Sequence, residues 1–171
     1  QDELSLVLVA GPSSSGKTTF SRRLTVQLLA RGISPYPLEL DNYFVDREKT
    51  PRDENGELDF EAIETLDLPL LADHLQKLVA GKKVRMPHFN FKTGLREPGE
   101  TIRLQHGQII ILEGIHGLNP SLIPEALAGQ AFRVYVSALT QLNLDRHNRV
   151  SSTWTLNIRF IVHDGLLRCY K

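Results

Sequence analysis

Leu4–Thr19 reads LSLVLVAGPSSSGKTT, a short apolar run that breaks into a turn rich in glycine and serine. The run Leu4 to Ala10 has the unbroken hydrophobicity, with valines, of a parallel strand buried on both faces. The turn Gly11 to Thr19 fits G-x-x-x-x-G-K-[ST], with Gly11, Gly16, Lys17 and Thr18 on the specified positions. Glycine lets the backbone turn sharply and bring its N–H groups against phosphate oxygens, where a side chain would collide. The N-terminus of the helix that follows adds partial positive charge. Lys17 is spaced to reach the β and γ phosphates, and the Thr18 hydroxyl to ligate Mg²⁺. The stretch predicts a nucleoside triphosphate site formed by Gly11, Ser13, Ser14, Ser15, Gly16, Lys17, Thr18 and Thr19, taking ATP or GTP with Mg²⁺.

Outward from this loop the chain alternates strands with helices. Phe20, Leu24 and Leu28 recur at four-residue spacing, which predicts a helix from Thr18 to about Arg31, stopped at Gly32. Tyr36 to Leu40 reads as a second strand and delivers Asp41 at its carboxyl end. Asn42 to Leu58, with Pro51 and Gly56, reads as a long loop, of a length that is usually functional or mobile. A helix is expected from Phe60 to about Ala80, interrupted near Pro69 and closed at Gly81. Val84 to Phe91 and Thr101 to Leu104 look like the two arms of a hairpin inserted over 84–105. Gln108 to Leu112 is a third apolar strand ending at Glu113. Pro124 to Ala128 reads as a short helix, Phe132 to Val136 as a fourth strand and Thr140 to Arg149 as a helix. This order predicts an α/β fold: a parallel sheet covered by helices on both faces, in one domain over 1–171.

At 171 residues and 41% hydrophobic, the chain can bury a sizeable core. Its formal net charge of zero gives no electrostatic case for nucleic acid or an anionic membrane as partner. Cys169 is the only cysteine, which excludes an internal disulfide framework. No apolar run approaches membrane-spanning length, and QDELSL lacks the charged start of a signal peptide, so a cytoplasmic location is expected. The missing initial Met suggests a piece of a longer chain. His88, His106 and His116 lie on separate segments without metal-ligand spacing, and His116 reads as a satisfied loop histidine. Trp154 reads as a packing residue. Oligomeric state is not legible.

Phosphoryl transfer asks a protein for positioning, charge neutralisation and a group that deprotonates or orients the acceptor. Asp41 and Glu113 each end an apolar strand, where open α/β sheets bind ligands. Glu113 would stand on the Mg²⁺ side, and Asp41 would accept the acceptor's proton. Strand-end acids also cap neighbouring helices, which is the structural alternative for both.

LDNYF (40–44), DFEAIETLD (59–67), PHFNFKTGLR (87–96) and IILEGIHGL (110–118), in that order after GPSSSGKTT, resemble the uridine kinase family of P-loop kinases. The match is nearest to a uridine-kinase-like branch sometimes attached to threonyl-tRNA-synthetase-like modules, and it runs from about Leu4 to Ser152. The resemblance implies ATP- or GTP-dependent phosphorylation of a nucleoside-like small molecule, with Asp41 as base and Lys17 and Arg159 assisting transfer. It implies Glu64, Phe89, Phe91 and Arg96 around the acceptor, Thr18 and Glu113 at the metal, and a lid over about 151–165. Two departures stand out. The family's base-reading tyrosine and histidine are Phe89 and Gly94 here, and an apolar pocket discriminates far less than one that hydrogen-bonds its substrate. In the lid, Leu156, Phe160 and His163 stand where arginines are expected, and only Arg159 persists. A nucleotide-binding regulatory module with weak or no transfer is therefore the alternative reading. A fifth core strand, usual after the lid, is not evident.

Overall fold

Leu6–Ala10 forms strand β1, and every residue of it is buried because both faces are covered. The computed structural model describes residues 4–137, 157–162 and 165–167. Its further strands are β2 (Pro35–Glu39), β3 (Val84–Asn90), β4 (Leu95–Ile102), β5 (Ile109–Glu113), β6 (Ala131–Ser137), β7 (Asn157–Val162) and β8 (Gly165–Leu167), and its α-helices are α1 (Lys17–Leu29), α2 (Leu68–Val79) and α3 (Glu125–Ala128). The main sheet has the order β2-β5-β1-β6-β7-β8. Strands β2, β5, β1 and β6 run parallel, while β7 is antiparallel to β6 and to β8.

The two-residue alternation of β1 divides the core. Leu6 and Leu8 join Leu38, Ile110 and Leu112 against Leu71, Leu75 and Leu78 of α2. Val7 and Val9 join Ile109, Ile111, Val134 and Val136 against Phe20, Leu24 and Leu28 of α1. Each fully buried aliphatic side chain contributes about 1.5–3 kcal/mol, so this two-sided burial is what holds the strand ends in register. That register sets Val9, Glu113 and Glu39 side by side at the carboxyl edge.

Strand β2 is one of the sheet's two outer strands among the described residues, and two of its five positions are Pro35 and Pro37. Ser34 turns its carbonyl toward Ile109 N–H in β5. Even-numbered residues of β2 therefore face β5, and the prolines, which carry no N–H, face outward.

The expected parallel sheet with helices on both faces is present, and differences from the expected elements have local causes. Pro69 does not interrupt a helix that starts at Phe60. It sits in the first turn of α2, where a missing N–H costs nothing, and Asp67 caps that turn by accepting from Leu70 N–H at 3.1 Å. Residues 60–66 instead hold a 3₁₀ turn, Ile63–Thr65. The hairpin β3–β4 is longer than its expected second arm, because pairing extends back to Leu95. Within the stretch expected to be a lid, Asn157–Val162 is a strand; residues 151–156 and the expected helix 140–149 lie outside the described residues. Among the described residues no helix is long and apolar enough to cross a membrane.

Candidate active site

The turn after β1 is shaped by close approach. A Cβ on Gly11 would stand 2.1 Å from the Val136 carbonyl oxygen, so only glycine lets the loop lie against β6. Gly16 is the N-cap of α1 and no side chain caps that helix. Its first N–H groups therefore point into the loop without an intrahelical partner. Lys17 Nζ donates to the Pro12 carbonyl at 2.8 Å, and the buried Ser15 Oγ has no partner among the described residues.

Glu113 shares its sheet face with Ile109 and Ile111, the face that α1 covers. Its carboxylate consequently meets the first turn of α1, and Thr18 Oγ1 donates to Glu113 Oε1 at 2.5 Å. Two hard oxygen donors on adjacent elements, beside a loop of backbone donors, suit Mg²⁺. That ion is typically held by one or two protein oxygens together with substrate phosphates.

Asp41 begins where β2 ends, in the 3₁₀ turn Leu40–Tyr43, which is pinned by the buried Leu40 and Tyr43. The Tyr43 hydroxyl is 3.1 Å from His74 Nδ1, a buried pair joining the turn to α2. Asp41 itself is exposed. Partial desolvation by the surrounding protein, and then the Glu39 charge, raise its pKa above the ordinary carboxylate value; Lys17 opposes this and Glu113 adds to it. A carboxylate of raised basicity beside a lysine is suited to taking a proton from a hydroxyl.

Beyond Asp41 the chain builds an aromatic wall. Phe44 packs on Phe60, Phe89 and Phe91 with ring centroids 6.1, 5.5 and 6.3 Å away, and Phe89 lies 5.1 Å from Phe91. Phe89 is 2% exposed and Phe91 57%, so the first is the wall's support and the second its surface. Asn42 Oδ1 accepts from Phe89 N–H at 3.2 Å. The loop and the hairpin tip are laced together: Arg47 N–H donates to the Gly94 carbonyl at 2.8 Å, Arg47 Nη2 to the Phe91 carbonyl at 2.7 Å, and Arg96 N–H to Asp46 Oδ1 at 3.0 Å. The Arg96 guanidinium forms a 2.7 Å ion pair with Asp67. Burial alone would raise the Asp67 pKa, but the Arg96 hydrogen bond, the Leu70 N–H and the Arg96 charge together bring it below the ordinary value.

The structure thus gathers Lys17, Thr18, Asp41 and Glu113 at one edge of the sheet. On the acceptor side Phe89, expected around the acceptor, is buried because Phe44 and Phe91 pack over it. Arg96 donates one guanidinium N–H, from Nη1, to Asp67 at the start of α2. Glu64 is exposed on the 3₁₀ turn Ile63–Thr65, and the side chain of Arg159 lies outside the described residues. Sequence reasoning missed Phe44 and Phe60, although both fall inside the quoted motifs, and it missed Arg47. His116 Nε2 is buried without a partner among the described residues, and desolvation holds the ring's pKa below the ordinary value against main-chain hydrogen bonding to Ala62 and Glu61 and the charges of Glu64 and Asp59. A hollow of about 920 Å³ lies at the opposite ends of the strands beside Ser5, Gln108 and Gln130. Its lining has no carboxylate, unlike the edge with Asp41 and Glu113.

Comparison with known proteins shows the family. The family model described as Phosphoribulokinase / Uridine kinase family matches residues 6–150. A uridine kinase of Deinococcus deserti is 32% identical over 124 residues, covering 72% of this chain and 58% of that protein. A uridine kinase of Halobacterium salinarum is 28% identical over 119 residues, covering 70% and 51%. The solved structure titled "Structure of a Possible Uridine Kinase from Bacillus stearothermophilus" superposes with a TM-score of 0.58 at 25% identity, covering 71% of this chain and 66% of that one. The chain spans about half the length of the curated relatives it matches. It belongs to the phosphoribulokinase/uridine kinase family.

Proposed function

We propose that this member of the phosphoribulokinase/uridine kinase family transfers the γ-phosphoryl group of ATP or GTP to a hydroxyl of a nucleoside-like small molecule. The observation that carries the reading is the Thr18–Glu113 hydrogen bond at the mouth of the phosphate loop, with Asp41 held across the same sheet edge. Gly11 to Thr19 would bind the phosphates, whose oxygens would take over Lys17 Nζ from the Pro12 carbonyl. Mg²⁺, held by Thr18 and on the side of Glu113, would neutralise charge on the β and γ phosphates. Asp41 would remove the acceptor hydroxyl's proton as its oxygen bonds to the γ-phosphorus and the bond to the β–γ bridging oxygen breaks. Phe91 would present its exposed ring to the acceptor, and Glu64 would lie beside it, with Arg159 assisting transfer.

The test is phosphate transfer from labelled ATP to a panel of nucleosides and polyols. Asp41→Asn should lower kcat by about 10² to 10⁴ and leave ATP affinity nearly unchanged. Unchanged turnover would remove Asp41 from the reaction. Absence of transfer to every acceptor, with tight Mg²⁺-dependent ATP binding retained, would favour the regulatory module that the depleted arginines at Leu156, Phe160 and His163 suggest.

A further inference from the structure

We infer that His74, on the second turn of α2, is a positioning residue for Asp41: it holds the Tyr43 hydroxyl, and through it the short turn that aims the Asp41 carboxylate. This rests on the proposed reading that Asp41 takes the acceptor's proton.

Among the described residues the Asp41 side chain forms no ion pair and no hydrogen bond; burial and the charges of Glu39, Lys17 and Glu113 act on it without holding it. Its direction therefore follows from the backbone that carries it. That backbone is the single 3₁₀ turn Leu40–Tyr43, closed by Phe44 N–H on the Asp41 carbonyl at 3.3 Å. One turn with so few bonds of its own keeps its place by what grips its ends. At one end Leu40, 2% exposed, fills the space that a Cβ on Gly114 would need, next to Glu113. At the other end Tyr43 is wholly buried and is gripped twice by α2. Its carbonyl accepts the N–H of the capping residue Asp67 at 2.9 Å, and its hydroxyl lies 3.1 Å from His74 Nδ1.

The two anchors differ in kind. Leu40 makes apolar contact, which tolerates a slide or a rotation, whereas a hydrogen bond has a direction. Burial, and then Tyr36, raise the Tyr43 pKa, so the phenol keeps its proton. Burial lowers the His74 pKa, with Lys77 and Arg96 assisting and Asp73 and Asp67 opposing, so the ring is neutral at pH 7. A phenol is the better donor and a neutral imidazole nitrogen the better acceptor, so Tyr43 O–H donates to Nδ1 and the ring's proton sits on Nε2. A buried pair of this kind adds little stability over an apolar pair of the same shape. What the apolar pair lacks is a fixed orientation, and orientation is what the Asp41 turn needs.

The experiment compares the wild type with Tyr43→Phe, His74→Leu and the double variant in thermal melting, phosphoryl transfer and amide hydrogen exchange. Each single variant leaves a buried polar group unpaired and should melt lower, while the double variant should regain most of the loss. A merely structural pair would regain kcat along with the melting temperature. For a positioning pair, kcat in the double variant should stay about 10- to 100-fold down, with KM for ATP and acceptor within about twofold of wild type. His74→Asn, which brings an amide oxygen near the place of Nδ1, should keep most of the turnover. Exchange at Phe44 and Asp67 N–H, which fasten the turn, should quicken about 10-fold in the double variant while Ile110 N–H in β5 stays unchanged. Wild-type kcat or unchanged exchange at both positions in the double variant would overturn the inference. Should the double variant fail to fold, His74→Asn against His74→Leu decides, and equal kcat in those two would overturn it. Transfer to no acceptor by the wild type would sink the kinase reading, and exchange at Phe44 and Asp67 would still decide whether His74 holds the turn.

Discussion

The phosphate loop takes its shape from nine consecutive residues and the strands beneath them, whereas the acceptor wall is laced from segments far apart in the chain. Its hydrogen bonds join residues 44, 47, 50 and 29 positions apart: Arg47 to Phe91, Phe89 to Asn42, Arg96 to Asp46 and Arg96 to Asp67. Each of these is a side chain meeting a main-chain group or another side chain, so changing one residue can alter the wall without touching the sheet. The loop is different, since its donors are backbone N–H groups set by glycine and by the register of β1. On the proposed reading, one end of the cleft can stay fixed for phosphate while side-chain changes alter the other.

Substitutions can be ordered by how sharply they separate the two ends. Asp41→Asn, which stands at their junction, should produce the largest effect, about 10² to 10⁴ in kcat. The raised pKa of Asp41 means that the folded state favours its protonated form, so ionised Asp41 works against the fold at neutral pH. The neutral variant should therefore melt at or above the wild-type temperature at pH 7 while losing turnover. In the wild type the acid limb of the kcat/KM profile should lie above the ordinary carboxylate range; a limb at or below pH 4 would contradict the raised basicity.

Gly11→Ala should come next. Overpacking against the Val136 carbonyl should cost about 1–3 kcal/mol, and nucleotide binding measured by titration should weaken with it. Unchanged ATP affinity would mean that the loop tolerates displacement from β6. Gly94→Ala is its counterpart on the acceptor wall: the left-handed backbone and the crowding by Arg47 should cost about 1–3 kcal/mol in melting experiments. Here ATP affinity should hold and acceptor KM should rise. Loss of both affinities together would break the distinction between the two ends.

The smallest effect belongs to Asp67→Asn, which keeps an N-cap on α2 and removes the charge facing Arg96. It should cost about 0.2–1 kcal/mol at pH 7. Because the Asp67 pKa is lowered in the folded protein, its contribution is present above the ordinary carboxylate pKa and fades as pH falls through the lower folded value. The difference between wild type and variant should shrink below about pH 4. A gap that persists there would point to capping rather than charge.

The same contrast explains what the sequence disclosed. Strand β1, the phosphate loop, α1 and the strand-end acids Asp41 and Glu113 were legible because each is written in contiguous residues with a fixed period or spacing. The start of α2 was misplaced because Pro69 read as a break, although Asp67 two residues earlier carried the capping signal. Burial of Phe89, the pairing of Arg96 and the seat of Arg47 depend on how the hairpin folds onto the loop, and no local pattern encodes that. Gly94 did carry a trace of it. The resemblance reads this glycine as the loss of a base-reading histidine, and in three dimensions it is also the room that Arg47 occupies.

The outward-facing prolines of β2 bear on how these molecules behave in a crowded solution. An outer strand normally offers a ladder of unpaired N–H and C=O groups on which a passing extended chain can add itself, the first step of sheet-mediated aggregation. At Pro35 and Pro37 the donor half of that ladder is absent. Two substitutions that restored those N–H groups would leave the fold and both ends of the cleft in place, yet would turn the border of the sheet into a template for intermolecular growth.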